Sequence, residues 1–141
     1  MSFREKRAWV TMLALIFVLI LFWIHIPPTR MLAPAPDMWV LHVLMLMIAT
    51  FVTIEIIARI VMRIRSPQEA RTPKDEREQL IELKSRAIAW YVFVISSLGA
   101  IFVTLHAGAN EVGLGFVVLV SFVVAEIVNY AMRIYYHRRG F

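Results

Sequence analysis

Four long apolar runs constrain this chain more than any other feature. They extend from Ala8 to Ile26, from Met38 to about Val61, from about Ala87 to His106 and from Leu114 to Tyr136. Because an α-helix rises about 1.5 Å per residue, each run is long enough to cross, or nearly cross, a hydrocarbon core of roughly 30 Å. We therefore predict an all-α integral membrane protein, a bundle of four transmembrane helices.

Composition agrees with this prediction and excludes several classes of function. Of the 141 residues, 60% are hydrophobic and 18% are charged, whereas soluble domains have about 45–50% and about 25%. The four spans leave room for a single transmembrane domain over residues 1–141 and for no separate soluble catalytic domain. The chain has no cysteine, which excludes disulfides, thiolate metal sites and cysteine nucleophiles. The first run is longer than the roughly 7–15 apolar residues of a signal peptide, so we expect it to be a span.

The distribution of basic residues predicts the orientation. Those flanking the spans fall almost entirely on one side: Arg4, Lys6, Arg7, Arg63, Arg65, Arg71, Lys74, Arg77, Lys84, Arg86, Arg133, Arg138 and Arg139, against Arg30 on the other. The positive-inside rule makes that side the cytoplasm, with both termini there. The net charge of +5 then reflects membrane orientation, and no direct binding of nucleic acid is expected. Trp9, Trp90, Tyr135 and Tyr136 would mark the cytoplasmic interface.

The segment from about residue 66 to residue 86 is the most informative polar stretch. Two runs here are typical of a helix start: Ser66-Pro67-Gln68-Glu69 and Thr72-Pro73-Lys74-Asp75. In each, a hydroxyl residue precedes proline, and a carboxylate follows three positions after the hydroxyl residue. The second helix should run unbroken through Arg86 into the third span and protrude about three turns into the cytoplasm. Its Leu80, Ile81 and Leu83 form a narrow apolar stripe among charges.

The two halves of the chain resemble one another. Phe51-Val52-Thr53-Ile54-Glu55-Ile56 in the second span matches Phe122-Val123-Val124-Ala125-Glu126-Ile127 in the fourth, and both continue to Met-Arg-Ile. If this is an internal repeat, each half is a helical hairpin, and the halves are related by an axis along the membrane normal. Chance similarity between apolar helices is the alternative.

Glu55 and Glu126 are the sharpest candidates for function, because an ionisable group inside a span is costly and often functional. Two carboxylates at similar depth could bind a cation or relay protons. The structural alternative is equally specific: Arg59 follows Glu55 by four residues, and Asn129 and Arg133 lie within reach of Glu126.

Metal or haem binding is a further alternative, through histidines at the external ends of the spans: His25, His42 and His106. No two of them have the helical spacing that places two ligands on one face, so we expect no cofactor. The chain also has no phosphate-binding loop, nucleophile elbow or metalloprotease motif, so we do not expect an enzyme.

The run Asp75-Glu76-Arg77-Glu78 before the third span resembles a family of small prokaryotic membrane proteins in which an Asp-Glu-Arg-(Asp/Glu) signature precedes the third of four helices. Similar proteins are often encoded beside compact helix-turn-helix regulators, and the resemblance therefore implies a membrane protein that holds or senses a cytoplasmic partner.

Three functional hypotheses follow. The first is a non-enzymatic adaptor or regulator of the cell inner membrane that binds a partner through Asp75, Glu76, Arg77 and Glu78. The alternative role of this cytoplasmic segment is electrostatic binding of its basic residues to anionic lipid headgroups. The second is a small ion, proton or solute transporter using Glu55 and Glu126, which would need to be a homo-oligomer because one bundle has little interior. The third is metal or haem binding.

Overall fold

The residues that the structure describes form four α-helices. This computed structural model describes residues 3–25, 38–65, 75–108 and 111–139. The helices are α1 (Phe3–His25), α2 (Met38–Arg65), α3 (Glu76–His106) and α4 (Glu111–Arg139), with no strand in these ranges. All four are long and apolar enough to cross a membrane. The predicted all-α, four-helix membrane bundle is thereby confirmed.

Large apolar side chains cover the outside of the bundle, while its apolar core is small. Phe22, Met47 and Phe116 form this core at the end of α1 that carries His25. Side chains such as Ile95, Leu98 and Phe102 are mostly exposed. A soluble protein would not leave so much apolar surface open, and in a bilayer these side chains face lipid.

The helices pack in the order α2, α1, α4, α3. Close contacts join α1 to α2, α1 to α4 and α3 to α4, whereas the other pairs are at most in marginal contact among the described residues. Each half of the chain is therefore a helical hairpin, as the repeat hypothesis requires. A two-fold axis would also make the α2–α3 interface equivalent to the α1–α4 interface, and in the described ranges it is not, so the packing lacks that symmetry.

The start of α3 differs from the sequence prediction. Asp75 has the extended conformation φ −69°, ψ 154° and is the N-cap of α3, so a helix that begins at Pro73 and passes through Asp75 is wrong. The reason is a capping box: the Asp75 side chain accepts from the N–H of Glu78, and Glu78 Oε2 accepts from the N–H of Asp75 at 3.2 Å. Asp75 Oδ1 also accepts from the N–H of Glu76 at 2.8 Å. From Glu76 the helix is unbroken to His106, as predicted. The predicted start at Ser66 lies outside the described residues.

The other end of α3 is a tight turn. Ala107 follows the helix and donates its N–H to the carbonyl of Val103. Gly108 then adopts φ 71°, a left-handed conformation that glycine tolerates best. This is the start of the predicted turn between the last two spans.

Two contacts fix the antiparallel register of α3 and α4. Glu82 pairs with Arg133, and Phe93 contacts Phe122, eleven residues along each helix. The first three turns of α3 therefore lie alongside the last three turns of α4, and the predicted cytoplasmic extension is not a lone protruding helix.

The same register corrects the proposed aromatic boundary. Trp90 is level with Ala125, ten residues and about 15 Å from Tyr135 along α4. A single flat interface does not contain both rings.

Candidate functional site

Glu55 lies in the interior of the bundle with one satisfied and one unsatisfied oxygen. Arg59 Nε donates to Glu55 Oε2 at 3.2 Å, which is the pairing that the four-residue spacing predicts. Only 9% of Glu55 is exposed. Its second oxygen, Oε1, is buried and accepts no hydrogen bond from the described residues. A buried polar atom of this kind is costly and therefore marks a position that deserves a functional test.

Glu126 belongs to a polar chain that connects α4 to α3. Asn129 Nδ2 donates to Glu126 Oε2 at 3.2 Å, and Arg133 Nε donates to Asn129 Oδ1 at 3.2 Å. Arg133 then reaches across to Glu82 Oε1 of α3 at 3.3 Å, and Arg86 donates to the same oxygen at 2.8 Å. The contacts along α4 follow the three- and four-residue spacings of the sequence, and the cross-helix contact gives them a structural role.

The two intramembrane carboxylates do not share a binding site in the described residues. Their side-chain partners are different, Arg59 for Glu55 and Asn129 for Glu126. The described contacts therefore give no support to a single cation held between the two carboxylates.

The four residues predicted to bind a partner divide into two pairs. Asp75 and Glu78 form the capping box of α3, so their side chains have a local structural role. Glu76 and Arg77 are exposed.

The exposed face of α3 extends beyond these residues and forms what we call the free face: Glu76, Arg77, Leu80, Leu83 and Ala87. On the opposite side, Ile81 is buried and Ser85 is fully buried. Ile81, one of the three residues of the predicted apolar stripe, thus faces inward rather than outward.

The three histidines of the metal hypothesis are exposed. In each of His25, His42 and His106, Nδ1 lies within hydrogen-bond distance of the carbonyl four residues earlier, at 2.8, 2.6 and 2.9 Å. Within the described ranges no three histidine, aspartate or glutamate side chains come together as a metal site. The geometry therefore adds no support to metal or haem binding.

Sequence reasoning missed two cross-helix ion pairs. One is Glu82 with Arg133, and the other is Arg138 Nε with Glu5 Oε1 at 3.0 Å, which joins the start of α1 to the end of α4. The guanidinium of Arg138 also lies over the Trp9 ring at 5.6 Å. A four-residue spacing marks Glu82 and Arg86 in the sequence, but pairs across helices leave no such local signal.

The four helices long and apolar enough to cross a membrane agree with the result of a family comparison. The family model described as "Predicted membrane protein (DUF2178)" matches residues 4–140. Searches of the curated proteins and of the solved structures gave no match. That the Asp75-to-Glu78 signature characterises the family stays a prediction. Since the family model covers nearly the whole chain, this multi-pass membrane protein belongs to the DUF2178 family of predicted membrane proteins.

Proposed function

We propose that this protein is a non-enzymatic adaptor or regulator of the cell inner membrane that binds a separate cytoplasmic protein through the free face of α3. The observation that carries the proposal is that Leu80 and Leu83 are 48% and 65% exposed on a segment whose other side is anchored to α4. Exposed leucines one turn apart, held on a rigid helix, are a common protein-binding arrangement.

The charges around these leucines indicate what kind of partner fits. By helical spacing, Arg77 and Lys84 lie along one edge of the apolar stripe. Arg86, on the other edge, pairs with Glu82. Asp75 and Glu78 are engaged in the capping box. The partner should therefore present acidic groups around an apolar contact, with Glu76 as the one acidic residue of the free face.

A basic, apolar helix face also suits an anionic membrane surface. Helices that bind such surfaces lie in the plane of the interface, whereas this segment continues α3 without a break. It therefore points away from the span, which favours a protein partner over lipid.

Site-specific photocrosslinking in the source cells tests the proposal. A photoreactive amino acid replaces Leu83, and the matched control carries it at Phe102, an equally exposed position near the opposite end of α3. We expect a polypeptide adduct of one discrete mass at position 83 and none at position 102. Lipid adducts alone at position 83 would overturn the proposal in favour of membrane binding.

Substitutions separate the apolar contact from the charges. For these variants the photoreactive group is placed at Ala87, because Leu83 itself is changed. Leu80→Gln with Leu83→Gln should lower the adduct yield by at least about tenfold, because buried apolar anchors dominate binding energy. Asp75→Asn with Glu78→Gln removes two charges and retains capping groups, so it should leave the yield unchanged. Loss in the second variant alone would mean that the partner binds the acidic residues instead.

Proton or cation transfer is the second candidate function, and Oε1 of Glu55, which is buried and has no hydrogen-bond partner among the described residues, favours it. Because one bundle has little interior, this function calls for a homo-oligomer. Proton flux in proteoliposomes tests it: Glu55→Gln should abolish the flux, whereas Glu76→Gln on the exposed free face should not change it. Equal flux in wild type and Glu55→Gln proteins would exclude a carboxylate-dependent pathway at this position.

A further inference from the structure

An open groove of about 270 Å³ lies between α3 and α4. Three aromatic rings line it in succession: the ring centres of Trp90 and Phe93 are 6.0 Å apart, and those of Phe93 and Phe122 are 6.2 Å apart. The polar residues of its lining are Arg86, Glu126 and Asn129. The groove therefore combines an aromatic surface with a single carboxylate.

The carboxylate of Glu126 lies inside the span, between a charged rim and the aromatic rings. The register of α3 against α4 puts Glu126 level with Ala89. That level is about one helical turn beyond Arg86, the last charged residue before the apolar stretch of α3. Trp90 and Phe93 follow farther into the same stretch. A ligand that reaches Glu126 therefore meets the rings on the side that faces the middle of the span.

This carboxylate has no cationic side chain as a direct partner among the described residues. Its Oε2 accepts from the neutral amide of Asn129 at 3.2 Å. Arg133 donates to Asn129 and to Glu82 instead. Arg86 likewise donates to Glu82. Because an ionisable group inside a span is costly without a partner, the groove favours a ligand that brings a positive charge to Glu126.

The rings select the kind of cation. Aromatic faces attract weakly hydrated organic cations such as quaternary ammonium groups. A metal ion would need several oxygen ligands, whereas the lining provides one carboxylate. Trp90 and Phe122 are 62% and 55% exposed, and in a bilayer their exposed surface faces lipid. A ligand that partitions into the membrane can therefore reach the groove from the side.

The geometry points to this groove as a binding site for a lipophilic organic cation, such as a quaternary ammonium or phosphonium that carries aromatic groups. The cationic centre lies against the carboxylate of Glu126, and the apolar groups of the ligand pack on the rings of Trp90, Phe93 and Phe122. The site is separate from the free face of α3 and does not depend on a cytoplasmic partner. Its volume, near the lower end of the roughly 300–1,000 Å³ of small-molecule pockets, suits a compact cation.

Equilibrium dialysis with a matched pair of probes tests the assignment. The full-length protein in mild-detergent micelles is dialysed against radiolabelled methyltriphenylphosphonium, with protein-free micelles as the background. Triphenylphosphine oxide, a neutral molecule with the same three phenyl rings, is the matched probe. We expect saturable binding of one phosphonium per chain and binding of the neutral probe at least about tenfold weaker, because a charge-assisted contact is worth about that factor. Equal affinities overturn the assignment, since apolar packing alone would then fill the groove.

Glu126→Gln removes the negative charge and retains an oxygen for the amide of Asn129. It should weaken the binding of the phosphonium by about tenfold and leave the binding of the neutral probe unchanged. The matched control, Glu76→Gln, removes one carboxylate from the free face and should change neither affinity. Phosphonium binding that survives Glu126→Gln, or that the control also loses, overturns the proposal.

Two further variants separate charge and ring contacts from the shape of the groove. Arg86→Gln removes a positive charge from the rim and should strengthen the binding of the phosphonium, because like charges repel. Trp90→Leu retains apolar surface but removes an aromatic face, so it should weaken the binding by about threefold. If Arg86→Gln weakens the binding as much as Glu126→Gln does, or if Trp90→Leu has no effect, the assignment is wrong.

Discussion

Removing the carboxylate of Glu82 should weaken the attachment of α3 to α4 more than any other single charge removal on α3. Its Oε1 accepts from Arg133 at 3.3 Å across the interface and from Arg86 at 2.8 Å within α3. The exposed fractions of the Glu82 and Arg133 side chains are 18% and 21%, whereas that of Arg86 is 63%. The two ion pairs share one carboxylate but differ in solvent exposure.

This difference sets the expected magnitudes. Exposed ion pairs contribute about 0–1 kcal/mol, and removing one partner of a buried pair costs about 3–5 kcal/mol. Since both side chains of the Glu82–Arg133 pair are about four-fifths buried, we expect a coupling energy of about 1–2 kcal/mol. For Glu82 and Arg86, a pair four residues apart whose guanidinium is mostly exposed, about 0.3–0.5 kcal/mol is typical.

Double-mutant cycles measure both couplings in one protein. The variants are Glu82→Gln, Arg133→Gln, Arg86→Gln and the two double variants that contain Glu82→Gln. The free energy of unfolding is measured in mixed micelles. Contacts of Arg133 with Asn129 and with the Tyr130 ring are lost in the single and the double variant alike and cancel in the cycle. A coupling to Arg133 that is no larger than the coupling to Arg86 would refute the reasoning from burial.

Three further predictions concern other contacts of the same fold. Ser85 is fully buried and donates to the carbonyl of Ile81 at 2.7 Å. Ser85→Leu should therefore lower the free energy of unfolding by about 1–3 kcal/mol, while Ala87→Leu on the exposed side should be close to neutral in the same assay. Asp75→Ala should weaken the first turn of α3 by about 1 kcal/mol, seen as faster amide exchange from Gln79 onward, whereas Asp75→Ser should retain protection; equal exchange in both would argue against the capping box. Glu5→Arg and Arg138→Glu should each lower the free energy of unfolding by about 1 kcal/mol, and the double variant, which exchanges the two charges, should restore it. A double variant as unstable as the single variants would show that the pair does not hold α1 to α4.

Contacts within one helix could be predicted from the sequence, whereas burial by a neighbouring helix could not. The pairing of Glu55 with Arg59 and the chain from Glu126 through Asn129 follow from spacings of three or four residues within one helix, so they could be predicted. Oε1 of Glu55 is buried with no hydrogen-bond partner in the described ranges, while Glu126 opens onto a groove. This difference depends on which neighbouring helix covers each face. The helical pattern of α2 and α4 carries little information on that choice, because apolar residues lie on every side of both helices.

Apolar runs and local signals in the sequence predict the number of helices, their limits to within a few residues at most ends, and the continuity of α3 from the polar segment into the span. Each of these depends on apolar length and on residues near one another in the chain. Tertiary structure alone decided the packing order α2, α1, α4, α3, the register that sets the start of α3 against the end of α4, and the ion pairs from Glu82 to Arg133 and from Glu5 to Arg138. The physical reason is that lipid and protein interior are equally apolar: hydrophobicity places a helix in the membrane without selecting its neighbours, and a few polar and close-packed contacts make that selection.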